Sequence, residues 1–452
     1  MTYRMPTAFA LVTLSLLSAC STTGTPAQNA AAAVSTAPST QFEYVATVPV
    51  RAGETPQSLG QSLGAQVLDW STPDCLNDCT ALVGFSSRVG RAGALQALGG
   101  RKAQLERNIG RFTTGVGARA NAAGAAAYWA MGAAAYWAMG AAAYWAMGAA
   151  AYWAMGQYSM VPQNTSLWEQ VKLQQGQALA PRLGEGVTVA VIDTGIDLQH
   201  PAFQGALADP STWHDFLAGD DVPQEEGVAG EGAYGHGTNV AGIILQVAPK
   251  AKIMPLRVLG ADGSGDVASV AQAIRWAVQK GAQVINLSLG STENSPAVQA
   301  AVDWATAQDV LVVASAGNEN KDHITYPAAN AAQGVAAPNL LSVGSVDPQD
   351  LKSSFSNYSA ALEVVGPGEH VYAPAPDGRM ASWSGTSMAA PMTAGGLALA
   401  LGETLKVPVR SLTGAMAQTA DDIYGGEANA AYTGLLGKGR LDLAAFLGQT
   451  IR

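Results

Sequence analysis

Three short segments that lie far apart in the chain must meet in space if any of them is to do chemistry. They are Val191-Ile192-Asp193-Thr194-Gly195-Ile196-Asp197, Gly235-His236-Gly237-Thr238 and Gly385-Thr386-Ser387-Met388-Ala389-Ala390-Pro391. The first puts an acid at the end of an apolar run, the second a His at a glycine-bounded helix start, the third a Ser where a helix opens. An acid so placed orients an imidazole, the imidazole takes a proton, and the hydroxyl attacks a carbonyl. A fold that unites them has to gather strand ends and helix starts along one edge.

The intervening sequence supplies such a fold. Val187 to Ile192 is a continuous apolar run, as expected of a strand buried on both faces. Asp266 caps a helix whose apolar positions Val267, Val270, Ala271, Ile274, Ala277 and Val278 hold three-four spacing, ended by Lys280-Gly281. Val284 to Leu287 reads as a strand, Ser295-Pro296 opens a helix with Val298, Ala301, Val302 and Ala305, and Val310 to Ala314 is the next strand. This alternation predicts an α/β fold: a doubly wound, mostly parallel sheet with helices on both faces. Sites in such sheets collect at the strand C-terminal ends, where Asp193, Ser288 and Asn318 fall.

The order Asp, His, Ser is that of subtilisin, distinct from chymotrypsin and from α/β-hydrolases. Val187 to about Leu447 resembles a subtilisin-family (subtilase) catalytic domain, which implies a serine endopeptidase acting on proteins or peptides through an acyl-enzyme. The resemblance makes Ser387 the nucleophile, His236 the general base and later acid, Asp193 its orienting partner, and Asn318, in Ala314-Ser315-Ala316-Gly317-Asn318, an oxyanion donor beside the Ser387 N–H. It also implies a substrate held as an added strand between Gly263-Ser264-Gly265 and Ser288-Leu289-Gly290. Gly317 and Thr325-Tyr326-Pro327 would line the pocket before the cleaved bond. Thr325, where several relatives have Gly, shortens that pocket, and Glu319 at the rim offers a basic side chain a partner. Specificity stays open between medium apolar and Lys-like residues.

Asn239 replaces the second His of the usual Gly-His-Gly-Thr-His, and Val240 to Pro249 is short where many relatives insert a calcium-binding loop. The reading is therefore no metal site and no cofactor, with calcium left open although its usual loop looks absent. Other readings are a simple N-cap for Ser387 and an aspartic protease for Asp-Thr-Gly, which needs a second copy that the chain lacks. A further alternative is a non-catalytic or autoinhibited surface peptide-binding protein on the same scaffold.

The N-terminal half reads as a series of segments. Residues 1–20 are expected to be a lipoprotein signal peptide: Arg4, an apolar stretch from Ala8 to Leu17, then Leu17-Ser18-Ala19-Cys20, which resembles a bacterial lipobox. An ordinary cleaved signal is the alternative, and either exports the chain. Residues 21–40 read as a flexible linker. Residues 41–120 alternate in a way that resembles the small α+β ferredoxin-like pro-domain of many subtilases, a folding template and inhibitor; an unrelated α+β domain is the alternative. Its expected elements include a helix carrying Leu95, Leu98, Leu105 and Ile109. Cys75 and Cys79 form an even pair suited to a short disulfide in an oxidising compartment, preferred over a metal site.

Residues 121–156 contain four copies of Gly-Ala-Ala-Ala-Tyr-Trp-Ala-Met from Gly124 to Met155. In a helix each copy turns the Tyr-Trp pair by about 80°, so no constant face forms. The segment reads as a linker, with an adhesive or self-associating role as the alternative, and residues 157–452 as the catalytic domain. With 24 Lys+Arg against 34 Asp+Glu, the charge of -10 argues against nucleic acid or an anionic membrane as partner. The expected partners are substrates and the chain's own pro-domain as inhibitor. Membrane attachment is expected only through lipid on Cys20, which gives a chain either anchored to the bacterial cell envelope or secreted.

Overall fold

Successive side chains of a strand point to opposite sides, so one short sheet can serve two cores, and the N-terminal lobe does so. The computed structural model describes residues 41–70, 79–114, 161–331, 339–425 and 427–452. Cys20, Cys75 and the octapeptide repeats, together with the expected boundaries at 20, 40, 120 and 156, lie outside them. Among the described residues no helix is long and apolar enough to cross a membrane.

The first lobe runs β1 (Phe42–Pro49), α1 (Pro56–Leu63), β2 (Gln66–Trp70), β3 (Thr80–Ser86), α2 (Gly90–Leu98) and β4 (Gln104–Arg107). Its antiparallel sheet has the order β2-β3-β1-β4, the ferredoxin-like arrangement. Thr55 caps α1 by accepting from Ser58 N, and Gly64 closes it with φ 57°. Ala46, Val48, Val83 and Phe85 pack on Leu59, Leu63, Ala94 and Leu98 of the two helices. Phe42, Val45, Leu68 and Leu82 point the other way, into a core shared with the main domain.

One expectation is corrected here. The second helix stops at Leu98, because Gly99-Gly100 follows and Gly100 takes φ 76°. Leu105 therefore lies on β4, and Ile109 is exposed. Cys79 is disulfide-bonded, its partner lying outside the described residues.

After a short strand β5 (Gly110–Thr113) and helices α3 (Thr165–Gln170) and α4 (Leu173–Leu179), the main domain continues with β6 (Thr188–Asp193), β7 (His214–Asp215), α5 (His236–Val247), β8 (Lys252–Arg257), β9 (Ser264–Asp266) and α6 (Val267–Gln279). Then come β10 (Val284–Leu287), α7 (Pro296–Ala307), β11 (Leu311–Ser315), β12 (Leu340–Val346), β13 (Val364–Pro367), the hairpin β14 (Val371–Ala375) and β15 (Arg379–Trp383), and α8 (Thr386–Leu401). Two more helices, α9 (Leu412–Gln418) and α10 (Leu443–Thr450), end the chain's described part.

Seven strands form one parallel sheet in the order β13-β12-β11-β10-β6-β8-β7. Val189, Val191 and Val284 face α5 and α8, with Ile243, Ile244, Leu397 and Leu399. Ala190, Ile192, Ile285 and Leu287 face α6 and α7, with Val270, Ile274, Val298 and Val302. Asp266 and Ser295 cap α6 and α7 as their sequence suggests, accepting from Ser269 N and Val298 N. From β6 the chain winds to β7 and β8 on one side and to β10 and beyond on the other. The reversal falls between the neighbours β6 and β10, the switch point where such sheets bind ligands. Asp193 is the last residue of β6, Ser288 follows β10, and Asn318 lies three residues past β11.

Candidate active site

Helix α5 carries His236 at its first position, and the glycines around it let it lie close to β6. Gly235 caps it with φ 95°, and a Cβ on Gly237 would sit 2.1 Å from the Gly195 carbonyl oxygen. Gly237 N donates to Thr194 Oγ1 at 2.9 Å. This contact brings His236 Nδ1 to 2.7 Å from Asp193 Oδ1, both side chains fully buried. In a neutral ring bonded to a carboxylate, Nδ1 is the donor and Nε2 is the nitrogen able to accept. Asp193 Oδ1 also accepts from Thr194 N at 2.8 Å, which fixes the carboxylate plane. Trp383 stands edge-on to the imidazole, ring centroids 5.6 Å apart at 81°.

Ser387 occupies the second position of α8, where backbone N–H groups favour developing negative charge. Its Oγ lies 3.2 Å from the Ser288 carbonyl and 3.5 Å from the Thr114 carbonyl. His236 Nε2 has no hydrogen-bond partner among the described residues, so Ser387 and His236 are not joined. Ser288 is itself tied to α8, its Oγ donating to the Ser387 carbonyl at 2.9 Å and accepting from Asn286 Nδ2.

Asn318 has its amide orientation set by Thr386. Asn318 Oδ1 accepts from Thr386 N at 2.8 Å and from Thr386 Oγ1 at 3.0 Å, which turns Nδ2 outward, 3.4 Å from the Thr114 carbonyl.

That Thr114 carbonyl belongs to the segment that leaves the chain's own N-terminal lobe, just after β5. β5 runs antiparallel to β9, with Phe112 opposite Gly265 and Thr113 opposite Ser264. On its other side Thr113 exchanges both backbone bonds with Gly290 at 2.9 Å, and Thr114 N donates to the Gly263 carbonyl at 3.2 Å. The two segments expected to hold a substrate strand therefore hold residues 110–114, and Phe112 is fully buried between them. Leu289 is buried beneath, in the α6–α7 core.

Thr325 lies between the Gly290 and Gly317 backbones. A Cβ on Gly290 would meet its Oγ1 at 2.3 Å, and one on Gly317 would meet its Cγ2 at 2.7 Å, so its side chain spans the gap between both walls. Glu319 Oε2 accepts from Asn357 Nδ2 at 2.7 Å and from Asn318 N at 3.0 Å, folded against the Gly317 wall. Among the described residues no group of three or more His, Cys, Asp or Glu is placed to hold a metal ion.

The rest of the lobe adds polar contacts to the apolar core it shares with the main domain. Asn108 Oδ1 accepts from Ala268 N at 2.9 Å, and Glu106 Oε1 from Ala297 N at 2.7 Å, so the lobe caps both α6 and α7. Asp69 and Arg275 form a buried ion pair at 3.1 Å; burial pushes the carboxyl up and the guanidinium down. No local sequence motif marks Thr114, Trp383 or Glu225. Only the structure tells Glu225, buried under the His236 helix, from exposed Glu226 beside it.

The model of the Subtilase family matches residues 184–439. The chain belongs to that family. Among curated relatives of this subtilase, Subtilisin Savinase of Lederbergia lenta is 41% identical over 227 residues, 48% of this chain and 76% of that protein. Thermitase of Thermoactinomyces vulgaris is 38% identical over 266 residues, 56% and 88%. Among solved structures, a cold adapted subtilisin-like serine proteinase is 32% identical, covering 58% of this chain and 89% of that one with a TM-score of 0.49. The subtilase is a serine endopeptidase, with proteins or peptides as substrates.

Proposed function

We propose that the subtilase cleaves peptide bonds through an ester on Ser387 and that its N-terminal lobe is a built-in inhibitor. One observation carries both: residues 110–114 lie as a strand between Gly263–Gly265 and Gly290, with the Thr114 carbonyl beside Ser387 Oγ and Asn318 Nδ2. Ser387 Oγ attacks the substrate carbonyl carbon and its proton passes to His236 Nε2. Asp193 stabilises the resulting imidazolium, while Asn318 Nδ2 and Ser387 N donate to the tetrahedral oxygen. His236 then protonates the leaving amine. Water attacks the ester, its proton again taken by His236, and Ser387 is restored as the carboxylic product leaves.

The Thr325 side chain between Gly290 and Gly317 favours small residues before the cleaved bond. Labelling with a fluorophosphonate tests the nucleophile: labelling and peptide hydrolysis are both lost in Ser387→Ala, whereas a labelled, active Ser387→Ala would reject it.

The chain's own tail is then its first substrate, with cleavage at the bond following Thr114 or the next one. Export, and a lipid on Cys20, rest on the N-terminal sequence. Two or more acyl chains on one cysteine give the stable attachment that a single chain does not. Cleavage near Thr114 leaves that anchor with the inhibitor and frees the enzyme. The uncleaved Ser387→Ala chain should fractionate with membranes and Cys20→Ser should release it; retention of the double variant would point instead to the repeats.

A further inference from the structure

Helix α5 has no side-chain cap of its own, because Gly235 precedes it. Its second N–H goes to Thr194 Oγ1. Its third, of Thr238, goes to Glu225 Oε2 at 3.1 Å, and Thr238 Oγ1 donates to the same oxygen at 2.9 Å. Thr238 Oγ1 also accepts from Asp197 N at 2.9 Å. The segment bearing Glu225 is fastened to the end of β6 by Glu225 N to the Ile196 carbonyl, 2.9 Å, and Ile196 N to the Pro223 carbonyl, 3.0 Å. One carboxyl, 3% exposed, thus joins the chain just after Asp193 to the helix turn that carries His236.

We propose that Glu225 is a positioning residue for His236: it supplies the missing cap of α5, holds the imidazole against Asp193, and adds a negative charge behind the imidazolium formed in the reaction. This rests on the reading of His236 as general base. A charge at a helix N-terminus away from water is worth more than at a surface.

Burial pushes the Glu225 carboxyl up to about 7, against the polar groups of Thr194, Gly235 and Thr238, with Asp193 pushing the same way. Among the described residues only Thr238 makes hydrogen bonds to it within normal geometry, and Oε1 has no hydrogen-bond partner. Other ionisable groups around it are Asp197 beyond β6, and His236 and Tyr234 at the α5 start. Tyr234 also feels Asp377 and Arg379 of the hairpin turn. Neighbouring Glu226 is engaged by Arg257 at 2.8 Å, and Arg257 also holds Asp215. The inferred charge is therefore present above about pH 7 and lost below it.

The test compares Glu225→Ala and Glu225→Gln in the processed enzyme, normalised by fluorophosphonate titration of active sites, with kcat and KM read from pH 6 to 8. Glu225→Ala should lower kcat by about 10 to 100-fold at nearly constant KM, the scale of a small misplacement of a reacting group. Glu225→Gln retains an acceptor for Thr238, so it should match the parent at pH 6 and fall several-fold behind at pH 8. A wild-type kcat in Glu225→Ala, or a Gln-to-Glu activity ratio constant across this range, overturns the proposal. Glu225→Gln also serves if the Ala variant does not fold. His236→Ala separates the premises: if it keeps full activity, the reading of His236 fails rather than that of Glu225.

Discussion

The two halves of the candidate site are held very differently. Asp193 and His236 are fully buried, joined at 2.7 Å, and set by groups of the main domain alone: Thr194, Glu225 and Trp383. Ser387 and Asn318 face a carbonyl of the N-terminal lobe at 3.5 and 3.4 Å, and Ser387 Oγ is turned toward carbonyls rather than toward His236. Both pairs are oriented by main-domain groups, Asn318 by Thr386 and Ser387 by Ser288, but only Ser387 and Asn318 also meet the strand lying in the cleft. Under the proposed function, such a chain would keep its base ready and have its nucleophile covered while residues 110–114 fill the cleft.

Substitutions test that contrast in order of size. Ser387→Ala should remove peptide hydrolysis with the fold intact, read as kcat of purified enzyme. In subtilisin itself the corresponding loss is about a million-fold, a figure carried over from that relative. Asn318→Ala should cost less, about 100 to 1000-fold in kcat with KM little changed, again the subtilisin magnitude for an oxyanion donor. Equal losses in the two variants would mean that Asn318 also shapes the nucleophile.

Thr113→Pro removes the N–H given to the Gly290 carbonyl and should slow appearance of the processed chain about tenfold in a time course, with the activity of enzyme already processed unchanged. An unaltered processing rate would mean that the tail is held by Phe112 and the lobe behind it.

The smallest effect is one of stability. Burial pushes the Glu363 carboxyl up to about 7, against bonds from Ser342. The folded chain thus holds this proton more tightly than the unfolded chain, whose value is 4.5. This group's contribution is fully present below about pH 4.5 and is lost as pH rises through 7. Glu363→Gln in the uncleaved Ser387→Ala background should raise Tm by roughly 2 to 4 °C at pH 8 and leave it unchanged at pH 4. Equal shifts at both would assign the effect to packing.

The strands and helices of the main domain are legible because each carries its own punctuation: Asp266 and Ser295 cap where expected, and β10 has the predicted bounds, Val284–Leu287. Asp193, His236, Ser387 and Asn318, the residues proposed for catalysis, each stand in a local motif tied to a turn or helix start. The end of α2 was missed because apolar spacing ran on past Gly99-Gly100 into Leu105, which serves a strand face instead. Neither Glu225 nor Thr114 was legible. A carboxylate's burial and a tail's landing place are set by residues distant in sequence, Glu225 by Thr238 and Ile196, Thr114 by Gly263 and Asn318.

The proposed cleavage of the chain's own strand beside Ser387 is read from the N-terminus of the processed enzyme. Mass spectrometry of purified protein should find a wild-type chain beginning at Gly115 or Val116 and a Ser387→Ala chain with its N-terminal lobe still covalently attached. A wild-type N-terminus beyond the repeats, or Ser387→Ala processed like wild type, would contradict it.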